Sequence, residues 1–160
     1  MTTRIPSFNV NHLKLLPGIY TSMKKEIGNN SVTTFDLRLC RPYVDPVLDT
    51  GSMHTIEHIG ATYLRNLSEY KDIIVYFGPM GCRTGFYLIL AGDFNSQDIV
   101  DLIKSLFQYI VDFSGEIPGA SQIECGNYKD MNLDGAKSIA KKYIEETLNN
   151  ISSINLNYQL

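Results

Sequence analysis

One stretch of helix constrains this chain more than any other segment. In His54-Thr-Ile-Glu-His58 two imidazoles stand four residues apart, so on a helix they project from one face with Glu57 beside them. The same stretch carries Ile56, Ile59, Tyr63 and Leu67 as an apolar stripe, while His54, Glu57, His58, Ala61 and Arg65 fall on the opposite face. Such a helix needs a hydrophobic body on one side and leaves its paired imidazoles free on the other. Two histidines at this spacing suit a divalent metal, and the carboxylate between them can move protons without being a ligand. Thr50 or Ser52 is the expected cap, with the helix running to about Leu67.

The body that receives this helix is predicted from the flanking patterns. Residues 18–27 and 31–40 read as two strands joined through Gly28-Asn-Asn30, a hairpin. Pro42 and Pro46 then break the chain before the helix. Residues 72–77 form a β-rich run ended by Gly78-Pro79, and residues 82–91 a second buried strand. Asn95 or Ser96 caps a further helix through Val111, with Ile99, Leu102, Ile103, Leu106 and Ile110 at helical spacing. A last amphipathic helix covers 133–148, using Ile139, Ala140, Tyr143, Ile144 and Leu148. The expected fold is α+β in two layers, an antiparallel sheet with helices packed on one face, as a single domain over residues 1–160.

Composition narrows the function classes. A net charge of -3 gives no basic footprint, which argues against nucleic acid as a partner. No run approaches the roughly eighteen apolar residues of a membrane span, and the start shows no signal-peptide apolar region, so no membrane and a cytoplasmic location are expected. Cys40, Cys82 and Cys125 are odd in number and far apart, a poor disulfide framework but available thiols for a reducing compartment.

Two histidines need at least one more protein donor. Cys125 is favoured over Cys40, because the loop between Gly119 and Gly126 can bend its side chain toward a helix, whereas Cys40 ends a strand and is explained by packing. Spacing alone leaves a loop cysteine open between ligand and filler. A His, His, Cys set keeps a fourth position open, the catalytic rather than structural pattern. Cys82 lies in Gly78-Pro-Met-Gly-Cys-Arg-Thr-Gly85, a turn whose small residues let a substrate approach the backbone. It reads equally as a buried strand thiol or as a base with a lowered pKa.

Taken together, these segments resemble the S-ribosylhomocysteine lyase (autoinducer-2 synthase) family of bacteria. The resemblance rests on His54-Thr-Ile-Glu-His58 and on Gly78-Pro-Met-Gly-Cys-Arg-Thr-Gly-Phe-Tyr87. It continues in Phe35-Asp-Leu-Arg-Leu-Cys-Arg-Pro42, in Glu124-Cys-Gly126 followed by Leu133-Asp-Gly-Ala-Lys137, and in Ser7-Phe-Asn-Val-Asn-His12. They cover nearly the whole chain, in order.

The resemblance implies one divalent metal per subunit, Fe2+ in the native state and often Zn2+ when isolated, held by His54, His58 and Cys125. It implies Glu57 and Cys82 as the two acid/base residues, and Ser7, His12 and Arg38 as lining the substrate pocket. It implies a homodimer with active sites at the interface. The implied reaction cleaves S-ribosylhomocysteine to homocysteine and 4,5-dihydroxy-2,3-pentanedione by successive carbonyl migrations and β-elimination. Three positions depart from the family pattern: Tyr76 where some members carry Asp, Gly78 in place of a common Ser, and Tyr43 in place of a common Asn. None is a metal ligand or proton carrier. His-x-x-Glu-His is also the inverzincin peptidase pattern, but that scheme has no role for Cys82 or Cys125. A third reading, a metal-stabilised domain without catalysis, predicts that Glu57→Gln retains every function.

Overall fold

Gly18–Ile27 (β1) pairs antiparallel with Asn30–Arg38 (β2) in register from Gly18 opposite Arg38 to Ile27 opposite Asn30, so the expected hairpin is present. A register shift between Thr21 and Met23 marks a bulge in β1. Ile74–Pro79 (β3) and Gly85–Ala91 (β4) complete a four-stranded, fully antiparallel sheet ordered β1-β2-β4-β3. The computed structural model describes residues 6–159, with side chains from Phe8 onward.

Three helices cover one face: α1 (Thr50–Asn66), α2 (Val100–Asp112) and α3 (Leu133–Glu146). The two-layer α+β expectation therefore holds. Alternation in β4 explains the layering, because Phe86, Leu88 and Leu90 are buried while Tyr87 and Ile89 between them are half-buried. Phe35 and Leu37 of β2 and Ile56, Ile59 and Leu64 of α1 meet them in one continuous core. Phe77 and Phe86 stack at 5.3 Å, and Phe107 of α2 meets Tyr143 of α3 edge-on at 4.9 Å. Each such large apolar side chain contributes about 1.5–3 kcal/mol of burial.

The helix boundaries carry instructive differences. Asp49 caps α1, accepting from the Ser52 amide at 2.8 Å, in place of the expected Thr50 or Ser52. A carboxylate one residue earlier can still reach the third amide, which sequence pattern alone does not separate from its neighbours. Leu64, outside the stripe named from periodicity, is fully buried, whereas Tyr63 and Leu67 are only half-buried. The second helix starts as a short 3-10 turn, Ser96–Ile99, capped by Asn95, before becoming α2. The first strand of the second hairpin is shifted two residues later than expected, and the second starts at Gly85 instead of residue 82 because the turn consumes residues 80–84, while its end at Ala91 is as expected.

On the sheet face away from the helices, Asp36 and Arg38 of β2 are buried as an ion pair. The C-terminal segment covers them: Tyr158 donates to Asp36 Oδ2 at 3.0 Å, and its ring stacks on Tyr20 at 4.6 Å. Buried beside Asp36, the Tyr20 phenol is pushed up to about 12, mainly by desolvation. Among the described residues no helix is long and apolar enough to cross a membrane.

Candidate metal centre and active site

The packing of α1 decides where its polar face points. Ile56 and Ile59 enter the core, so His54, Glu57 and His58 stay half-buried along the helix edge. There His54, His58 and Cys125 converge, with one potential ligand atom from each lying within 4.8 Å of the others. Cys125 Sγ is 3.4 Å from His54 Nε2. Donors bound at about 2.0–2.3 Å in a tetrahedron stand about 3.3–3.8 Å apart; the 3.4 Å between Cys125 and His54 has that separation, and a cluster within 4.8 Å needs only a small contraction to share one ion. A thiolate with two imidazoles is a donor set that either Zn2+ or Fe2+ accepts.

Both imidazoles are held by their other nitrogen. His58 Nδ1 donates to the Pro118 carbonyl at 2.7 Å, and His54 Nδ1 pairs with Asp130 Oδ1 at 3.0 Å. A carbonyl only accepts, so the His58 hydrogen sits on Nδ1 and its Nε2 lone pair is left for a metal. The 118–125 loop is shaped to reach the helix. Gly119 adopts φ +70° and lies so close that a Cβ there would stand 3.1 Å from His58 Nδ1. One turn later the Cys125 amide bonds the Ser121 carbonyl at 3.0 Å, which brings its thiol back to α1. Cys40, the competing candidate, is buried against the Thr84 carbonyl and is not in the cluster.

Glu57 lines a cavity of about 390 Å³ together with His54, Met53, Met80, Gly81, Arg83 and Asp130. The loop bearing Cys82 therefore forms one wall of it, through the residues on either side of the thiol. Arg83 holds φ 57°, a left-handed conformation that costs a non-glycine residue about 1–2 kcal/mol. Three backbone hydrogen bonds fix that turn: Met80 to Gly85, Arg83 to Met80, and Leu48 to Arg83, each at 2.9 Å.

Cys82 itself is exposed and faces Arg38 and Thr84. Asp36 takes the Arg38 guanidinium at Nε and Nη2, 3.1 and 2.6 Å away, and Arg38 Nη1 donates to the Thr84 hydroxyl and toward Cys82 Sγ at 3.8 Å. Since Thr84 Oγ1 accepts from Arg38, its own hydrogen is free for Cys82 Sγ at 3.1 Å. Desolvation pushes the Cys82 thiol up, but the Thr84 hydrogen bonds and the Arg38 charge outweigh it, so its pKa lies below the ordinary value. The buried Cys40 thiol is pushed up instead, by desolvation and then by Asp45.

The other expected residues fall elsewhere. Arg38 is committed to Asp36, Thr84 and Cys82, and neither it nor Cys82 lines the Glu57 cavity. His12 is half-buried with Nδ1 on the Val10 carbonyl at 2.9 Å, outside that cavity as well. Ser7 falls in the short turn Pro6–Asn9, but its side chain is outside the described residues. Asp130 and the Pro118 carbonyl were invisible to pattern reading, since neither belongs to a spaced motif, and Thr84 lay within the Cys82 segment without any signal of its contact to the thiol. Gly78 and Tyr76 are coupled in the fold: a Cβ on Gly78 would overlap the Tyr76 hydroxyl, so a serine there requires the exposed tyrosine ring to move.

The model of the S-ribosylhomocysteinase (LuxS) family matches residues 5–154. The chain belongs to this family. It is similar to the S-ribosylhomocysteine lyase of Finegoldia magna, 57% identical over 97% of both chains. The S-ribosylhomocysteine lyase of Clostridium beijerinckii is 54% identical over 97% of this chain and 98% of its own, and that of Borreliella burgdorferi 55% over the same shares. Family membership makes the chain an enzyme. It also removes the peptidase and non-catalytic readings of the metal helix.

Proposed function

We propose that this enzyme is a metal-dependent carbon–sulfur lyase that cleaves S-ribosylhomocysteine to homocysteine and 4,5-dihydroxy-2,3-pentanedione, the precursor of autoinducer-2. The observation that carries the reading is the convergence of His54, His58 and Cys125, with His54 in the wall of the Glu57 cavity. The three would hold one divalent ion per subunit, Fe2+, with Zn2+ as the alternative in isolated protein. That ion supplies Lewis acidity toward the substrate's carbonyl and hydroxyl oxygens.

The chain's own residues handle the protons. Moving the sugar carbonyl from C1 to C2 and then to C3 requires protons to leave carbon and return to a neighbouring atom. The final β-elimination breaks the carbon–sulfur bond, and homocysteine leaves as the thiol once a proton is returned to its sulfur. Glu57 sits in the cavity without a ligand's duties and serves as one proton carrier. Cys82 serves as the other: its pKa lies below the ordinary thiol value, and Arg38 and Thr84 steady the thiolate charge. It needs no covalent adduct for this role.

A homodimer, with sites at its interface, accommodates the separation of the parts. In one chain the Cys82–Arg38 pair and His12 lie off the Glu57 cavity, and a second copy brings such groups, with Ser7, against the substrate. The reading places the enzyme in the cytoplasm, where reduced thiols persist. Its test is the division of labour between the two thiols. Cys125→Ser is expected to lose bound metal, whereas Cys82→Ala keeps the metal and loses turnover. Full metal occupancy in Cys125→Ser with loss of metal in Cys82→Ala refutes the assignment.

A further inference from the structure

His54 and His58 are supported unequally. His58 Nδ1 meets a neutral backbone carbonyl, whereas His54 Nδ1 meets a carboxylate, Asp130, 3.0 Å away and 76 residues distant in sequence. The carboxylate is not a stray surface group. It ends the 3-10 turn Tyr128–Asp130, and its backbone carbonyl rests so closely on the first turn of α1 that Gly51 has no room for a Cβ. Directly after it, the Asn132 amide bonds the Thr55 hydroxyl at 2.8 Å and the Gly51 carbonyl at 3.3 Å. The segment is thus clamped to the helix that bears the histidines, and the carboxylate is held where it can reach only one of them.

We infer that Asp130 is the positioning residue of the metal centre, holding His54 Nδ1–H so that Nε2 points at the space shared with His58 and Cys125. This rests on the metal reading of His54, His58 and Cys125 given above. The contact fixes the tautomer and the ring rotation at once. A carboxylate partner also raises the electron density on Nε2, which a backbone carbonyl does less. Asp130 itself stays out of the ligand set: its oxygen is engaged on the far side of the ring from Cys125. The expected contribution is the 10–100-fold in metal affinity typical of such outer partners.

The test is an anaerobic Co2+ titration of the full chain, followed by its thiolate-to-cobalt absorption, with Zn2+ affinity measured against a chromophoric chelator. Wild type, Cys125→Ser, Asp130→Asn and Asp130→Ala are compared, and each metal-free protein is melted. Asp130→Ala is expected to bind 10–100-fold more weakly, with an altered cobalt d–d spectrum. Asp130→Asn keeps the shape and one acceptor but not the charge, and is expected to fall between the two with an unchanged metal-free melting temperature. Wild-type affinity in Asp130→Asn beside a loss in Asp130→Ala overturns the inference in favour of a mere prop for the loop. Equal affinity in all three overturns it outright. Failure of the wild type to bind, or a thiolate band that survives Cys125→Ser, overturns the metal reading instead.

Discussion

Gly51→Ala is the sharpest probe of how the site is assembled from separate parts of the chain. Gly51 is the second residue of α1, where alanine is intrinsically better by up to about 1 kcal/mol. Here an added methyl group overlaps the Asp130 carbonyl oxygen and stands 3.2 Å from its carbon. Both obstacles are backbone, and the segment is tied to Gly51 and Thr55 by the Asn132 amide, so neither can swing aside as a side-chain tip would. Overpacking of this kind costs about 1–3 kcal/mol, so a mid-range cost of about 2 kcal/mol less the helix gain leaves a net loss of about 1 kcal/mol. For a chain of this size that corresponds to a melting temperature lower by about 2–4 °C. The metal-free protein is melted beside Gly126→Ala, where a methyl group meets nothing within 4 Å. Displacement of the segment also draws Asp130 from His54, so metal affinity should fall with stability. A Gly51→Ala protein as stable as wild type, or more so, refutes the close approach and the clamp built on it.

Three further outcomes follow from named contacts. Thr84→Val removes the hydroxyl that bridges Arg38 and Cys82, so the pH profile of Cys82 alkylation should move to higher pH while Thr84→Ser stays near wild type; the lost acceptor for buried Arg38 adds about 1–3 kcal/mol of destabilisation. Because the folded pKa of Cys82 is depressed, the folded state binds fewer protons than the unfolded one, so its stabilisation is complete above the ordinary thiol value of 9.0 and is lost as pH falls through the folded pKa. Wild type should accordingly gain on Thr84→Val as pH rises from neutral toward 9, in urea melts across that range. Tyr43, exposed and left-handed at φ 64°, should gain about 0.5–1 kcal/mol on replacement by Asn, which tolerates that conformation; an unchanged melting temperature counts against strain there. Gly78→Ser should displace the Tyr76 ring, with a cost that disappears in Tyr76→Asp, and a double-mutant cycle with no coupling would refute their linkage.

What the sequence made legible is local. The first hairpin, the stripe of α1 and the helical spacing before Val111 all follow from repeats of two or 3.6 residues, and β1 runs over the expected 18–27. The candidate ligands were legible too, since His54 and His58 share a helix and Cys125 a loop of the right reach. The remainder depends on pairs brought together only by folding. Asp130 is 76 residues from His54, and Tyr158 is 122 from Asp36, so no periodicity announces either contact. Arg38 illustrates the consequence. The resemblance names it for the substrate pocket, but nothing in the sequence announces its partners: folding buries it between Asp36 and Thr84 and turns it toward Cys82. The turn around Cys82 was legible, but its extension through Thr84 was not, because its shape comes from a left-handed Arg83 and from the Leu48 amide of a distant loop.

The central claim is that the histidine helix serves carbon–sulfur cleavage with Glu57 as a proton carrier outside the metal's ligand set. Its most direct test is anaerobic release of free homocysteine from S-ribosylhomocysteine by wild type and Glu57→Gln, with the metal content of the same samples. The account predicts rapid thiol release by the wild type, and its loss in Glu57→Gln with metal fully retained. Metal-loaded wild type that releases no homocysteine, or a Glu57→Gln protein that releases it at the wild-type rate, contradicts the account.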